Sequence, residues 1–520
     1  MLRLQSASLD WALKHIEKYG DTDIFPVPFE FQAIREFWDS DIKPWIRSMN
    51  LLEWELRPYR RLLTPKNRYG FRISTQLDPI DSIIFTALVF EIGRDIEKYR
   101  IDKNEKIAFS YRFKPETDGR LYDPAFSWES FQQHSLELAN SNEYEYVLLA
   151  DIADFYPRIY SHPLEQALNS CTRKKNHVIA LKRCFKQLNG SVSYGIPVGQ
   201  SASRLIAELI LNDIDQGLIA EEIKVCRYVD DFRIFTRTER EAIQSLGVLA
   251  NLLFENQGLT LQQHKTKVLS VGDFKRIVLK TEEEKEIDSL EDRFTEILNS
   301  IDSDMYDDID FDELEPEIQV EIDRLNLEEI LKDNIEGDEL DIPLVRFIIG
   351  RLAQINKLDS IDVLLMNIEK LYPVFKDVMK YFQTVNADSN TKRRVGGQLL
   401  RLINDSSIVG HLEFNRMWLL NSFTCDNQWD NEEKFITLYN NCHDEYSQRK
   451  LILALGRSHK DFWFKSKRRY ITQFNPWVKR AFLAASSCLP GDQAEHWYKS
   501  IPNLDTLDRV ICNWALQNKF

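Results

Sequence analysis

The chain has 520 residues, 43% of them hydrophobic and 12% aromatic, with seven cysteines and a formal net charge of −15. That length and apolar content exclude a disordered chain and a disulfide-held miniature, and predict two or more domains with separate cores. The charge excludes less than it suggests, because residues 281–342 hold 26 Asp and Glu against 4 Lys and Arg, and the rest, with 63 basic and 56 acidic residues, carries +7. A mildly basic body beside an acidic block is compatible with polyanion binding outside the block. The chain has no apolar run long enough for a membrane span, and its first twenty residues lack the apolar core and cleavage site of a signal peptide. The seven scattered cysteines form no CxxC pair, which predicts reduced thiols in a cytoplasm.

In chain order, "DWALKHIEKY" reads as a helix with Asp10 as its cap. Asp78 and Pro79 open a long buried helix, "SIIFTALVFEIGRDIEKY". Residues 146–150 are a nearly continuous apolar run, a strand that delivers Asp151 to a sheet edge. A loop containing Gly195 and Gly199, positions where backbone can come close to a ligand, leads into an amphipathic helix with Leu205, Ile206, Leu209 and Ile210 on one face. "VCRYVDDFRIF" is two runs of β-formers joined at Asp230 and Asp231. "EREAIQSLGVLANLLFENQG" reads as a helix ending at Gly258. The acidic block 281–342 reads as solvated helices or a partly mobile connector. After it nearly everything has helical period. "FNRMWLLNSF", "SQRKLILALG" and "WVKRAFLAAS" each place basic residues before an apolar block at a spacing of roughly 30–34 residues, which predicts α-helical repeats.

The adjacent aspartates pose an electrostatic question. Two unit charges about 4 Å apart repel by ~4 kcal/mol at an effective dielectric near 20. Singly, each feature has a plain structural explanation: a cap, a loop, a solvated turn. In this order the features fit one chemistry. A strand-borne carboxylate followed ~80 residues later by a hairpin-borne pair is what two-metal phosphoryl transfer needs, with Mg²⁺ bound by carboxylate oxygens and neutralising their repulsion.

These segments resemble the reverse transcriptase family. "YVDD" at Tyr228–Asp231 matches its signature hairpin and "DIADFY" at Asp151–Tyr156 its first aspartate motif. "GIPVGQSAS" at Gly195–Ser203 resembles its Pro-x-Gly loop, and "GLTLQQHKTKV" at Gly258–Val268 the motif after the hairpin. "TPKNRYGFRIST" at Thr64–Thr75 resembles the fingers segment. The resemblance implies an α+β, right-hand-type fingers and palm over residues 1–280. An acidic helical connector at 281–342 and an all-α, HEAT-like repeat domain at 343–520 would follow.

For the site, the resemblance implies two Mg²⁺ ions, with Mn²⁺ as a substitute, bound by Asp151, Asp230 and the Ile152 carbonyl, with Asp231 in support. The incoming dNTP would meet Lys66, Arg72, Asp154, Phe155, Tyr156, Gly199 and Lys265. Tyr156 would block a 2′-hydroxyl, and Lys265 would protonate the leaving pyrophosphate. One departure stands out: where the family usually has Gln before the second Gly of the loop, this chain has Val198. A helical tail without the family's basic three-helix thumb, together with "KYGDTDIFPVPFEF", resembles the bacterial abortive-infection reverse transcriptase-like polymerases of prophage-borne type. That group implies antiphage defence by untemplated DNA synthesis primed from a tyrosine, a product covalently attached to the protein, a homo-oligomer, a phage-derived trigger, no membrane and a bacterial cytoplasm. Two other readings stand beside it. One is an RNA-templated reverse transcriptase with a dedicated noncoding RNA. The other is a helical-repeat scaffold or phage sensor with a vestigial polymerase.

Overall fold

The apolar run at 146–151 is a strand, and the elements of the site are arranged around it. The computed structural model describes residues 1–190, 192–277, 290, 293–294, 316–337, 339–404, 407–490 and 492–519. The chain divides into two compact units, Met1–Arg61 with Ser74–Thr281, and Leu62–Ile73 with Glu282–Phe520. Strands β1 (Arg60–Asn67) and β2 (Gly70–Gln76) pair as a separate ribbon, whose middle is grouped with the second unit.

In the first unit, β3 (Tyr146–Asp151), β4 (Lys224–Tyr228), β5 (Asp231–Thr236) and β6 (Lys267–Ser270) form an antiparallel sheet in the order β4-β5-β3-β6. Alternation along the strands gives the sheet two apolar faces. Val147 and Cys226 lie in one cluster with Phe131, Phe235 and Phe274. On the other face Leu148 pairs in register with Ile234 and Ala150 with Phe232, all four buried.

Four helices of the unit matter for the site: α1 (Pro79–Tyr99), α2 (Trp128–Asn140), α3 (Ser201–Ala220) and α4 (Glu239–Leu252). Each start has a local cause. The Asp78 side chain accepts the Ile80 N–H with Pro79 in the first turn, Ser127 and Ser130 form a capping box, and Thr238 accepts the Glu241 N–H. α2 packs on β4 and β5, α4 on β3 and β5, and α3 on β4, so the sheet is covered on both faces. The expected cap at Asp10 is a correction. That helix runs Ser6–Tyr19, so Asp10 lies inside it, and its carboxylate instead accepts from Trp38 Nε1 at 2.7 Å and Lys43 Nζ at 3.0 Å.

The described part of the second unit, outside the ribbon, is helical. α5 (Ile342–Gln354), α6 (Phe375–Thr384), α7 (Glu413–Cys425), α8 (Glu445–Arg457), α9 (Pro476–Ala485) and α10 (Thr506–Gln517) begin at intervals of 30 to 38 residues, and each packs on the next. Other helices, Ser389–Asn404 among them, run between them. This is the helical-repeat arrangement the basic–apolar spacing predicted: the three quoted segments lie on α7, α8 and α9, and their apolar blocks are buried. Of the acidic block, residues 281–289, 291–292, 295–315 and 338 lie outside the described residues. The remainder forms helices at Pro316–Asp323 and Leu327–Glu336, the second burying Leu327, Leu331 and Ile335.

Candidate active site at the end of the sheet

β3 ends at Asp151 directly opposite Asp231, the first residue of β5. Tyr228 pairs with Asp231, so Val229 and Asp230 are the two-residue loop of a tight hairpin. Of those two, Val229 alone has a positive φ, +54°. Such a loop usually places glycine at its first position, and for a β-branched residue this backbone region costs about 1–2 kcal/mol. The Ile152 N–H donates to the Asp230 carbonyl at 3.2 Å, tying the end of β3 to the hairpin.

A third segment closes the group. The Ala153 N–H donates to the Thr260 carbonyl at 2.9 Å, and the Gln262 N–H donates to the Asp151 carbonyl at 2.7 Å. This pairing carries the chain round to Lys265, whose Nζ sits 2.7 Å from Asp151 Oδ2. Asp151, Ile152, Asp230, Asp231 and Lys265 are thus gathered at one end of the sheet.

The electrostatics of the group are unbalanced. Burial, and then the charges of Asp151 and Asp231, push the Asp230 carboxyl up to about 6. Burial also raises Asp231, against the opposing pull of Arg233. Burial pulls the Lys265 ammonium down, but the Asp151 hydrogen bond and the three carboxylate charges outweigh it and leave its pKa above the ordinary lysine value. Three carboxylates therefore share one ammonium in a partly buried site, a demand for further positive charge.

The donors available are hard oxygens, which suit Mg²⁺ or Mn²⁺. Among the described residues no three His, Cys, Asp or Glu side chains form a ready-made cage. Mg²⁺ is usually held by one or two carboxylates together with waters and substrate phosphates. Asp151, Asp230 and Asp231 supply carboxylate oxygens for such a half-built site.

Phe155 and Tyr156 follow β3 in the chain. The Tyr156 carbonyl accepts the Ile196 N–H at 3.2 Å, and its ring meets Phe155 edge-on at 5.5 Å. Burial raises the Tyr156 hydroxyl well above its ordinary value. Phe155 is buried, whereas Asp154 is exposed with φ +48° at the start of a short turn. Gly199 has φ +112°, and a Cβ there would lie 3.2 Å from Ile24 Cδ1. Its closest approach is thus to the segment around Thr22 and Ile24, and the glycine is explained without a ligand. Val198 offers its carbonyl to the Thr75 N–H at 3.0 Å. Lys66 and Arg72 lie exposed on β1 and β2, in the segment grouped with the second unit.

Two arginines escaped the sequence reading. Arg204 lies over the Tyr111 ring at 5.2 Å and pairs with Asp23 at 3.1 Å. Arg233, next but one to Asp231, is buried over Phe131 at 4.1 Å and donates to Gln132 Oε1 at 2.6 Å. The only sequence signal for either was a charge inside an otherwise apolar run.

Residues 95–293 match the family model described as reverse transcriptase (RNA-dependent DNA polymerase). The chain carries a reverse transcriptase domain. It is a nucleotidyltransferase, and the domain takes in β3 to β6 and all three aspartates. Reverse transcriptase domains use divalent metal ions, in keeping with the oxygen donors assembled here. No curated protein matches the chain. Among solved structures, telomerase from Candida albicans with a TWJ fragment of telomeric RNA is similar at 12% identity and a TM-score of 0.33, over 79% of this chain and 71% of that one. Apo telomerase from Candida tropicalis is similar at 12% identity and a TM-score of 0.32, over 81% and 74%. Likeness at that level carries no argument about activity.

Proposed function

We propose that this protein is a DNA polymerase that joins dNTPs by two-metal phosphoryl transfer, with Asp151, Asp230 and Asp231 as its catalytic carboxylates. The observation that carries the reading is the convergence of these three carboxylates on one ammonium at the end of the sheet. Asp151, Asp230 and the Ile152 carbonyl would hold Mg²⁺, or Mn²⁺ in its place, with Asp231 in support. When bound, two such ions supply Lewis-acid stabilisation of the attacking and leaving oxygens. Lys265, kept protonated by its carboxylate neighbours, would deliver a proton from Nζ to the leaving pyrophosphate. Tyr156, braced by Phe155, would exclude a 2′-hydroxyl. Asp154 would border the nucleotide.

The finer reading is untemplated, protein-primed synthesis in abortive-infection defence against phage, by a homo-oligomer in a bacterial cytoplasm. It rests on Val198, which brings an apolar side chain where the family usually has an amide, and on the helical repeat that follows the polymerase domain. Labelled dNTPs and Mg²⁺ without template, followed by denaturing electrophoresis, test it. Label migrating with the protein supports it, and label absent from the protein sinks it. A second reading, RNA-templated synthesis, is favoured by the description of the matched family model. RNA that co-purifies with the protein, and product complementary to it, would select that reading.

A further inference from the structure

The strained residue of the hairpin is held from two sides. The Val229 N–H donates to Ser110 Oγ at 2.8 Å, and the Val229 carbonyl accepts from Arg227 Nη1 at 3.1 Å. Both partners belong to one buried network. The Ser110 hydroxyl donates to Glu208 Oε1, whose other oxygen takes Arg227 Nη1 at 2.9 Å and Arg100 Nη2 at 2.6 Å. Arg227 also binds Asp215 through Nε and Nη2, each at 2.7 Å. Ser110, Glu208, Arg227 and Asp215 are all buried.

Backbone pairing sets the position of Ser110. The Arg227 N–H donates to the Ile107 carbonyl at 2.7 Å, and the Phe109 N–H donates to the Arg227 carbonyl at 3.0 Å. Residues 107–110 thus run beside β4 and bring Ser110 level with the loop. Arg100 secures the same segment, donating to the carbonyls of Ser110 at 3.0 Å and Tyr111 at 2.9 Å.

A valine at φ +54° persists only where its surroundings over-determine it. Here both polar groups of its backbone are occupied, and a relaxed loop would leave Ser110 and Arg227 without these partners in a dry site. We propose that Ser110 and Arg227 are positioning residues. They lock the hairpin in its strained form and so aim the Asp230 carboxylate at Asp151, with Glu208 as the hub that orders both. Only the kinetic consequence rests on the polymerase reading; the clamp itself does not.

Arg227 and Glu208 are poor first targets, because removing one partner of a buried ion pair leaves the other uncompensated. Ser110→Ala keeps every ion pair and deletes the acceptor of the Val229 amide. In the full-length protein, hydrogen exchange should find that amide protected in the wild type and exchanging on the order of ten-fold faster or more in Ser110→Ala. In dNTP incorporation, kcat should fall roughly 10- to 100-fold while KM for dNTP changes little, the signature of a misplaced catalytic group. Adding Val229→Gly, which removes the strain, should restore part of the lost kcat. Ser110→Cys, similar in size and a weak acceptor, should show the same signs at smaller size, and it replaces the alanine variant if that variant does not fold. Wild-type exchange and kcat in Ser110→Ala would overturn the proposal. A lower kcat that Val229→Gly leaves uncorrected would overturn it too, because Ser110 would then act elsewhere. A wild-type protein that incorporates no dNTP would defeat the polymerase reading alone, with the exchange result still deciding the clamp.

Discussion

The end of the sheet and the stack of helices treat charge in opposite ways. In the helical unit, cations of one repeat meet carboxylates or carbonyls of its neighbour. Arg416 on α7 donates to the carbonyls of Gly410 and His411 at 2.7 and 2.8 Å and pairs with Asp444 at 3.0 Å, at the cap of α8. Lys460 pairs with Glu432 and Lys392 with Asp426. At the end of the sheet three carboxylates crowd one ammonium, and a valine is bent into a backbone region that suits glycine. Balanced charge joins repeats, and it serves stability. Unbalanced charge costs stability, and the proposed metal chemistry accounts for its concentration at one edge.

Asp151→Asn should lower dNTP incorporation by a factor on the order of 10³, the scale of losing a group that stabilises charge in a transition state, with the fold unchanged by circular dichroism. In the metal-free protein Asp230 should take up a proton near pH 6, and added Mg²⁺ should move that midpoint down; a pH titration from 4 to 8 with and without Mg²⁺ reads this, and a midpoint that Mg²⁺ leaves in place contradicts it. In the helical unit, Arg416→Ala should destabilise by about 1–3 kcal/mol in denaturant melts, because two carbonyls and a carboxylate lose a charged donor, with incorporation unchanged. Arg394→Ala breaks an exposed pair with Asp362 and should change stability by less than about 1 kcal/mol. An Arg394 effect as large as that of Arg416 would show that balance alone does not set these contributions.

Much of this contrast was legible in the sequence. The run at 146–150, the doubled aspartate and the repeat spacing are local patterns, each produced by one buried face of one element. Lys265 was legible through its motif. The arginines were not. Arg227 and Arg233 interrupt apolar strands, and what keeps them buried lies elsewhere: Asp215 and Glu208 on α3 for one, Phe131 and Gln132 on α2 for the other. Ser110 had no signal, since its role depends on a backbone pairing between segments more than a hundred residues apart. The misread cap at Asp10 has the same cause: its partners, Trp38 and Lys43, come from a later turn of chain.

A site kept for chemistry at a cost in stability makes two demands on the carboxylates at the end of the sheet. Asp230→Asn tests both in one protein. The native Asp230 carboxyl is raised from 3.8 to about 6, so its contribution to stability is lost as pH rises through about 6. The neutral amide escapes that loss. At pH 7.5, without divalent metal, the variant should therefore be more stable than the wild type by about 1–3 kcal/mol, with the difference vanishing below about pH 4; with Mg²⁺ added, it should incorporate no dNTP while the wild type does. A variant that is no more stable and incorporates dNTP at the wild-type rate would contradict the account.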